Sequence, residues 1–188
     1  MSRKTQRKKS QHYLFWGLLL TGLVVGLFVI GLFWTPYDPT AMNGAEAGMP
    51  PSLRHPFGTD LFGRDLLSRV MQGGGTTLIV SLSALCIGAG VGIAVGAVTG
   101  YFGGWLDRVL MRLNDVITAF PSILLALVLI SLLGPGTVNL ILALGVVFIP
   151  SYARMSRAAF AACRDRNYVI SARLMGAGKG RILVSHIL

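Results

Sequence analysis

The sequence predicts an all-α, polytopic membrane protein with four membrane-crossing helices, and three observations carry that expectation. Of the 188 residues, 53% are hydrophobic and only 13% are charged, far from the composition of a soluble domain. The charges are gathered into islands: none falls between Lys9 and Asp38, between Arg69 and Asp107, or between Asp115 and Arg154. Each gap exceeds the roughly 20 apolar residues needed to cross a bilayer. The third observation is the placement of the basic residues.

The formal net charge is +10, a balance that also fits a nucleic-acid binder. Its distribution argues otherwise. Five of the seventeen Lys and Arg residues cluster at Arg3, Lys4, Arg7, Lys8 and Lys9, and seven more lie between Arg154 and Arg181. Basic residues beside apolar spans mark cytoplasmic flanks in contact with anionic lipid. No aromatic-interleaved basic groove accompanies them, so membrane lipid is the expected partner and nucleic acid is not. Cys86 and Cys163 are far apart, and no His/Cys spacing resembles a metal site. No metal or cofactor is expected on this chain.

The elements follow in order. Residues 1–12 form a basic cytoplasmic tail, and 13–34 form the first span, with Tyr13 and Trp34 at its ends as interface belts prefer. A secretory signal is excluded, because the apolar run is too long and Ala45-Glu46-Ala47 lies too far downstream. Residues 35–76 form an extracytoplasmic loop without basic excess, irregular where Pro36, Pro39, Pro50 and Pro51 fall. The core, 77–188, holds three more spans: about 77–101, 116–133 and 138–152. Gly88, Gly92, Gly96 and Gly100 share one face of the second, a stripe that lets another helix approach closely. Gly134-Pro135-Gly136 divides the third from the fourth as a tight hairpin. Starting inside, four crossings return the chain to the cytoplasm at Arg154, where the positive-inside rule wants it.

Three groups of residues carry candidate function. In the loop, Asp60 and Arg64 are four apart, as are Asp65 and Arg69. Both pairs suit one helical surface with Thr59 or Asp60 as N-cap. Leu61, Phe62, Leu66, Leu67, Val70 and Met71 add an apolar stripe, so an amphipathic helix is expected here, either at a gate or as a plain charge-laced surface helix. A hydrolytic or metal role for His55, Asp60 and Asp65 lacks a workable constellation. Asp107, Arg108, Arg112 and Asp115 stand at the inner mouth of the third span, where charge is costly unless paired or wet. They are expected either as a structural ion-pair cluster or as part of a pathway. Ser81, Ser83, Thr99, Ser122, Ser131 and Asn139 are pore-facing candidates or helix-packing donors, and Pro121 and Pro150 mark kinks or helix ends. In the last segment, 154–188, Tyr168 to Met175 fits a short helix. Tyr168, Ala172 and Met175 fall at i, i+4 and i+7, and Gly176 and Gly178 permit a reversal. Such a knob suits a partner's groove.

The run His55-Pro56-Phe57-Gly58-Thr59-Asp60-Leu61-Phe62-Gly63-Arg64-Asp65, continuing to Ser68-Arg69, resembles permease subunits of the dipeptide, oligopeptide and nickel class of bacterial ABC importers. The likeness continues through Gly100-Tyr101-Phe102-Gly103-Gly104-Trp105-Leu106-Asp107, Phe120-Pro121 and Leu133-Gly134-Pro135-Gly136. It implies a type I importer permease fold, normally of about six spans, so this chain is expected to be truncated. It also implies four kinds of partner: a homologous second permease, two cytoplasmic ATPases, an extracytoplasmic solute-binding protein, and the lipid of the bacterial inner membrane. ATP would be bound and hydrolysed on the partners, since no G-x-x-x-x-G-K-[ST] loop occurs here.

The terminal segment is similar to the loop by which these permeases dock on their ATPase. Tyr168, Ala172, Arg173, Met175, Gly176, Ala177 and Gly178 are then the docking residues, and Asp60, Arg64, Asp65, Arg69, Asp107, Arg112 and Asp115 the candidates for pathway or gate. The family's Glu-Ala-Ala falls on Ile170, Ser171 and Ala172, so its acidic residue is missing here. His186-Ile187-Leu188 resembles the residues just before a family proline. The expected solute is a di- or oligopeptide, with nickel or a nickel complex as the alternative. A membrane-bound enzyme or sensor built on the loop is the rival from another class.

Overall fold

A computed structural model describes residues 3–164 and 166–183, with the side chains of residues 3–11, 173 and 179 outside the description. Among the described residues seven α-helices follow one another: α1 (Arg3–Gly31), α2 (Leu66–Phe102), α3 (Gly104–Ala119), α4 (Ser122–Leu133), α5 (Thr137–Arg164), α6 (Asn167–Leu174) and α7 (Lys179–Ile182). Among the described residues the only β pairing is an isolated bridge between Thr59 and Asp65. The chain divides into two compact units, one up to Ile79 and one from Val80 onward.

Among the described residues three helices are long and apolar enough to cross a membrane: α1 over His12–Gly31, α2, and α5. The pair α3–α4 makes up to four, but it is bent by 91°. The segment expected to cross at 116–133 is therefore sharply bent at a break and not one straight helix. Phe120 is extended at the end of α3, and Pro121 opens α4. The Pro121 ring disfavours the α conformation of the residue before it, and Phe120 takes the extended one, whereas α5 continues through Pro150. The helix of the second span also starts earlier than its apolar run, at Leu66, so the helical part expected at the end of the 35–76 loop is continuous with α2.

In the first unit, α1 is apolar without a polar face over its membrane stretch, as lipid exposure requires. The loop after it is irregular except for one 3-10 turn at Gly44–Glu46.

In the second unit, the glycine stripe of α2 lies against α5. A side-chain carbon added at Gly88 would stand 2.5 Å from Phe148 Cβ, and one at Gly92 would stand 2.6 Å from Tyr152 Cβ. At Gly96 it would run into the Ser156 hydroxyl. With the backbones this close, Ser156 Oγ donates to the Gly92 carbonyl across the interface at 3.3 Å, alongside its own-helix acceptor at Tyr152. Van der Waals packing and such bonds replace the hydrophobic drive that lipid removes.

Gly134 and Gly136 take positive φ in the turn between α4 and α5. Asn139 Nδ2 donates back to the carbonyls of Leu133 and Gly134, at 2.8 and 3.1 Å. Asn139 is thus a cap for the end of α4 and not a pore-facing group. Thr99 is likewise spent on its own helix, donating to Val95 and Gly96.

Candidate functional site

The loop of the first unit is organised around two aspartates. Asp65 ends the irregular chain just before α2, and its Oδ2 accepts from the Ser68 backbone N–H (2.8 Å) and the Ser68 hydroxyl (2.7 Å). That makes Asp65 the N-cap of α2, in place of Thr59 or Asp60. Its Oδ1 meets His55 Nδ1 at 2.9 Å, and the Tyr37 ring lies over His55 with centroids 4.7 Å apart. The Tyr37 backbone N–H donates to Ser68 Oγ at 3.1 Å. His55, Asp65 and Ser68 are all buried. Burial pushes the Asp65 carboxyl up, but the Ser68 hydroxyl and N–H and the His55 contact outweigh it and hold the group below the usual range.

Asp60 gathers the second set. It accepts from the backbone N–H groups of Phe62 and Arg64 and from Arg64 Nε at 2.8 Å. Arg69 Nη1 reaches it at 2.5 Å. Partial burial opposes ionisation here too. The Arg64 and Phe62 hydrogen bonds and the Arg64 charge prevail and lower its pKa to about 2. Of the two expected pairs, Asp60–Arg64 forms, but Asp65–Arg69 does not, because Arg69 turns to Asp60 and Asp65 faces inward. Gly58 and Gly63 have φ of 75° and 73°. The segment is therefore a knotted turn and not the helical surface on which both pairs were expected.

A serine, a histidine and an aspartate in contact invite a hydrolytic reading, and the geometry rejects it. Ser68 gives its proton to Asp65 and not to the imidazole. His55 Nε2 faces Glu46, at 3.7 Å. A nucleophile needs its base at its own oxygen and room for a substrate, and Ser68 is wholly buried.

In the second unit, Asp107 of α3 takes both its bonds from Arg157 of α5, from Nε at 2.5 Å and from Nη2 at 2.6 Å. This bidentate pair joins residues fifty apart in sequence. It corrects the expected cluster, since neither Arg112 nor Asp115 has an ion-pair partner among the described residues. They line an open hollow of about 620 Å³ with Arg108, Trp105 and the Asp107–Arg157 pair. Beside it, buried Asn114 donates to the Pro150 carbonyl at 3.2 Å. The sequence reading passed over Asn114 and did not foresee that Arg157 pairs with Asp107.

The terminal hairpin is built on α6 and α7. Gly176, with φ of 83°, ends α6, and the Ala177 N–H bonds back to the Ala172 carbonyl at 3.0 Å. That is the six-to-one bond of a Schellman close, in which glycine bears the left-handed residue without a Cβ penalty. Val169, Ala172, Ile182 and Leu183 are buried together with Ala97, Tyr101 and Phe160. On the outside, Leu174 and Met175 are 84% and 81% exposed. Tyr168, Ala172 and Met175 therefore do not form one contact face: Ala172 is core, at 3% exposure, while Tyr168 and Met175 look outward. Ala177 packs against the core and Gly178 lies exposed before α7. The Arg173 side chain and His186-Ile187-Leu188 lie outside the described residues.

Fold and site together define a polytopic helical membrane protein with a broken span and an apolar-tipped terminal hairpin. The chain belongs to the family described as the binding-protein-dependent transport system inner membrane component, whose profile matches residues 92–188. It is 35% identical over 178 residues to the dipeptide transport system permease protein DppC of Haemophilus influenzae, covering 92% of this chain and 60% of that one. It is 36% identical over 184 residues to the glutathione transport system permease protein GsiD of Escherichia coli O6:K15:H31, covering 97% and 61%. The GsiD of Pectobacterium atrosepticum is 36% identical over 172 residues, covering 89% and 57%. The chain spans about three fifths of the length of these curated relatives.

Proposed function

We propose that this chain is a membrane-embedded permease subunit of an ATP-driven importer, forming part of the path by which small peptides enter across the bacterial inner membrane, with its N-terminus cytoplasmic. The observation that carries this reading is the terminal hairpin: a glycine-closed helical knob, seated on a buried core, that presents Leu174 and Met175 to solvent. Exposed large apolar side chains on a fixed element mark a surface meant to be covered. Their neighbours in sequence align with proteins named as peptide and glutathione permeases. Dipeptide and glutathione share a peptide backbone, and nothing in the named relatives favours nickel, so peptide is the solute class.

The expected assembly has a homologous second permease, two ATPases that bind and hydrolyse ATP, and a solute-binding protein. Closure of the ATPases would push the hairpin, and α5, which leads into it, would carry the movement to the broken span as a rigid body. The test is reconstitution with candidate partner ATPases and a second permease, followed by ATP-dependent uptake of labelled dialanine and of glutathione. Uptake that requires ATP and disappears with Leu174→Asp supports the reading. An assembly that retains no ATPase, or that moves neither solute, overturns it.

A further inference from the structure

The break between α3 and α4 borders an open-mouthed cavity of about 330 Å³. Its polar lining is Thr118, Ser122, Ser151 and Arg154, set among apolar walls that include Pro121 and Pro150. Among the described residues Arg154 is the one charged group on that lining, and no acid shares it. Among the described residues Arg154 has no carboxylate within salt-bridge distance, whereas Arg157, one turn further along α5, is held by Asp107. Two arginines on one helix are thus treated differently: one is tied and one is left with its fork open toward a cavity.

Position makes the contrast meaningful. At 1.5 Å per residue, Arg154 lies roughly 26 Å along α5 from Thr137, at the cytoplasmic end expected for that span, and its side chain is exposed. A guanidinium there with no protein carboxylate can take an anion from outside the chain. A guanidinium pairs best with a planar oxyanion, two N–H groups to two oxygens. The start of α4 adds to the field, since Pro121 provides no side-chain cap and Ser122 lies on the cavity wall.

We propose that this cavity is a subsite for the carboxylate of the imported solute, with Arg154 as its principal ligand and the Ser122 and Ser151 hydroxyls as further donors. The proposal rests on the import reading and adds a chemical selection to it. With no acid in the lining, the cavity has nothing to hold a peptide's ammonium group. It reads the carboxyl end and leaves the amino end unread.

The test uses the full-length protein, purified with the subunits it retains, in nanodiscs of neutral and of anionic lipid. Phenylglyoxal labelling of Arg154 is followed by mass spectrometry, with exposed Arg112 as the internal control. Dialanine and N-acetyl-dialanine should each slow labelling of Arg154 about tenfold at about ten times their Kd. Dialanine amide and inorganic phosphate should not, and Arg112 should be indifferent throughout. Equal protection by the amide, equal protection by phosphate, or no protection by dialanine overturns the proposal. So does protection that follows anionic lipid whether or not solute is present.

Arg154→Gln should lower dialanine uptake about tenfold, the loss expected for one charge-assisted pair, while Arg154→Lys restores part of it. Equal uptake by Arg154→Gln and the unsubstituted protein counts against the subsite. Protection without any uptake sinks the import reading and keeps the carboxylate site; uptake without protection does the reverse.

Discussion

The loop of the first unit and the terminal hairpin of the second both turn on glycines, and they are held in opposite ways. The loop closes on charge: Asp60 collects Arg64 and Arg69, and Asp65 collects Ser68 and His55. The hairpin closes on apolar contact: Val169, Ala172 and Ile182 sink into a core shared with α2 and α5. In the loop, the charged residues Asp60, Arg64, Asp65 and Arg69 fix its shape through their hydrogen bonds or ion pairs. In the hairpin, Leu174 and Met175 are large apolar residues that the core does not use.

The comparison breaks most visibly at Asp65. Asp65→Ala leaves the Ser68 N–H and hydroxyl and the His55 ring buried without their acceptor. Removing one partner from such a set costs about 3–5 kcal/mol. Trypsin cleavage at Arg54 and Arg64 should then rise steeply while the hairpin keeps its protection. Loss of protection in both regions at once would deny that the loop has its own lock.

The apolar counterpart is Gly96→Leu. A side chain at this position meets the Ser156 hydroxyl and the Ala153 carbonyl. Overpacking of this kind costs about 1–3 kcal/mol. The expected result is a lower thermal aggregation midpoint in detergent together with exposure of the hairpin to protease, and an unchanged midpoint would mean that α2 and α5 do not meet through the glycine stripe.

Acid separates the regions more gently. Asp60 has a folded pKa of about 2 and Asp65 is also depressed. Groups depressed on folding stabilise above their unfolded pKa, about 3.9 for aspartate, and that stability fades as pH falls through the folded value. Protease resistance of the loop should therefore hold above about pH 4 and fade toward about pH 2. The hairpin, whose core among the described residues is an apolar cluster, should show no such dependence. Parallel acid curves would erase the distinction.

The spans were legible because a bilayer demands long charge-free runs, and Lys9–Asp38, Arg69–Asp107 and Asp115–Arg154 satisfy that demand without any packing information. The turn at Gly176 was legible for a similar reason: glycine answers a local backbone need. Partner choice was not. A spacing of four suggested Asp65–Arg69, but the rule holds only on a helix, and Gly58 and Gly63 bend the chain before one begins. Asp107 finds Arg157 through the packing of α3 on α5, which no local pattern encodes. The right-angle break at Phe120-Pro121 was legible as a place, and its size was not.

The smallest stability effect belongs to the hairpin tip. Leu174→Ser should leave the folded chain within about 0.5 kcal/mol, as surface changes do, and still weaken ATPase retention on a column. A large loss of thermal stability would place Leu174 in the core.

The most direct measurement is a cross-link. Cysteine placed at Met175, with the chain assembled beside its ATPase, should give a permease–ATPase adduct with a short bifunctional thiol reagent. Cysteine placed at Leu61, equally exposed at 87% but in the charged loop, should give none. An adduct from Met175 alone is the predicted result. No adduct from Met175, or one of equal yield from Leu61, contradicts the assignment of the hairpin as the ATPase dock.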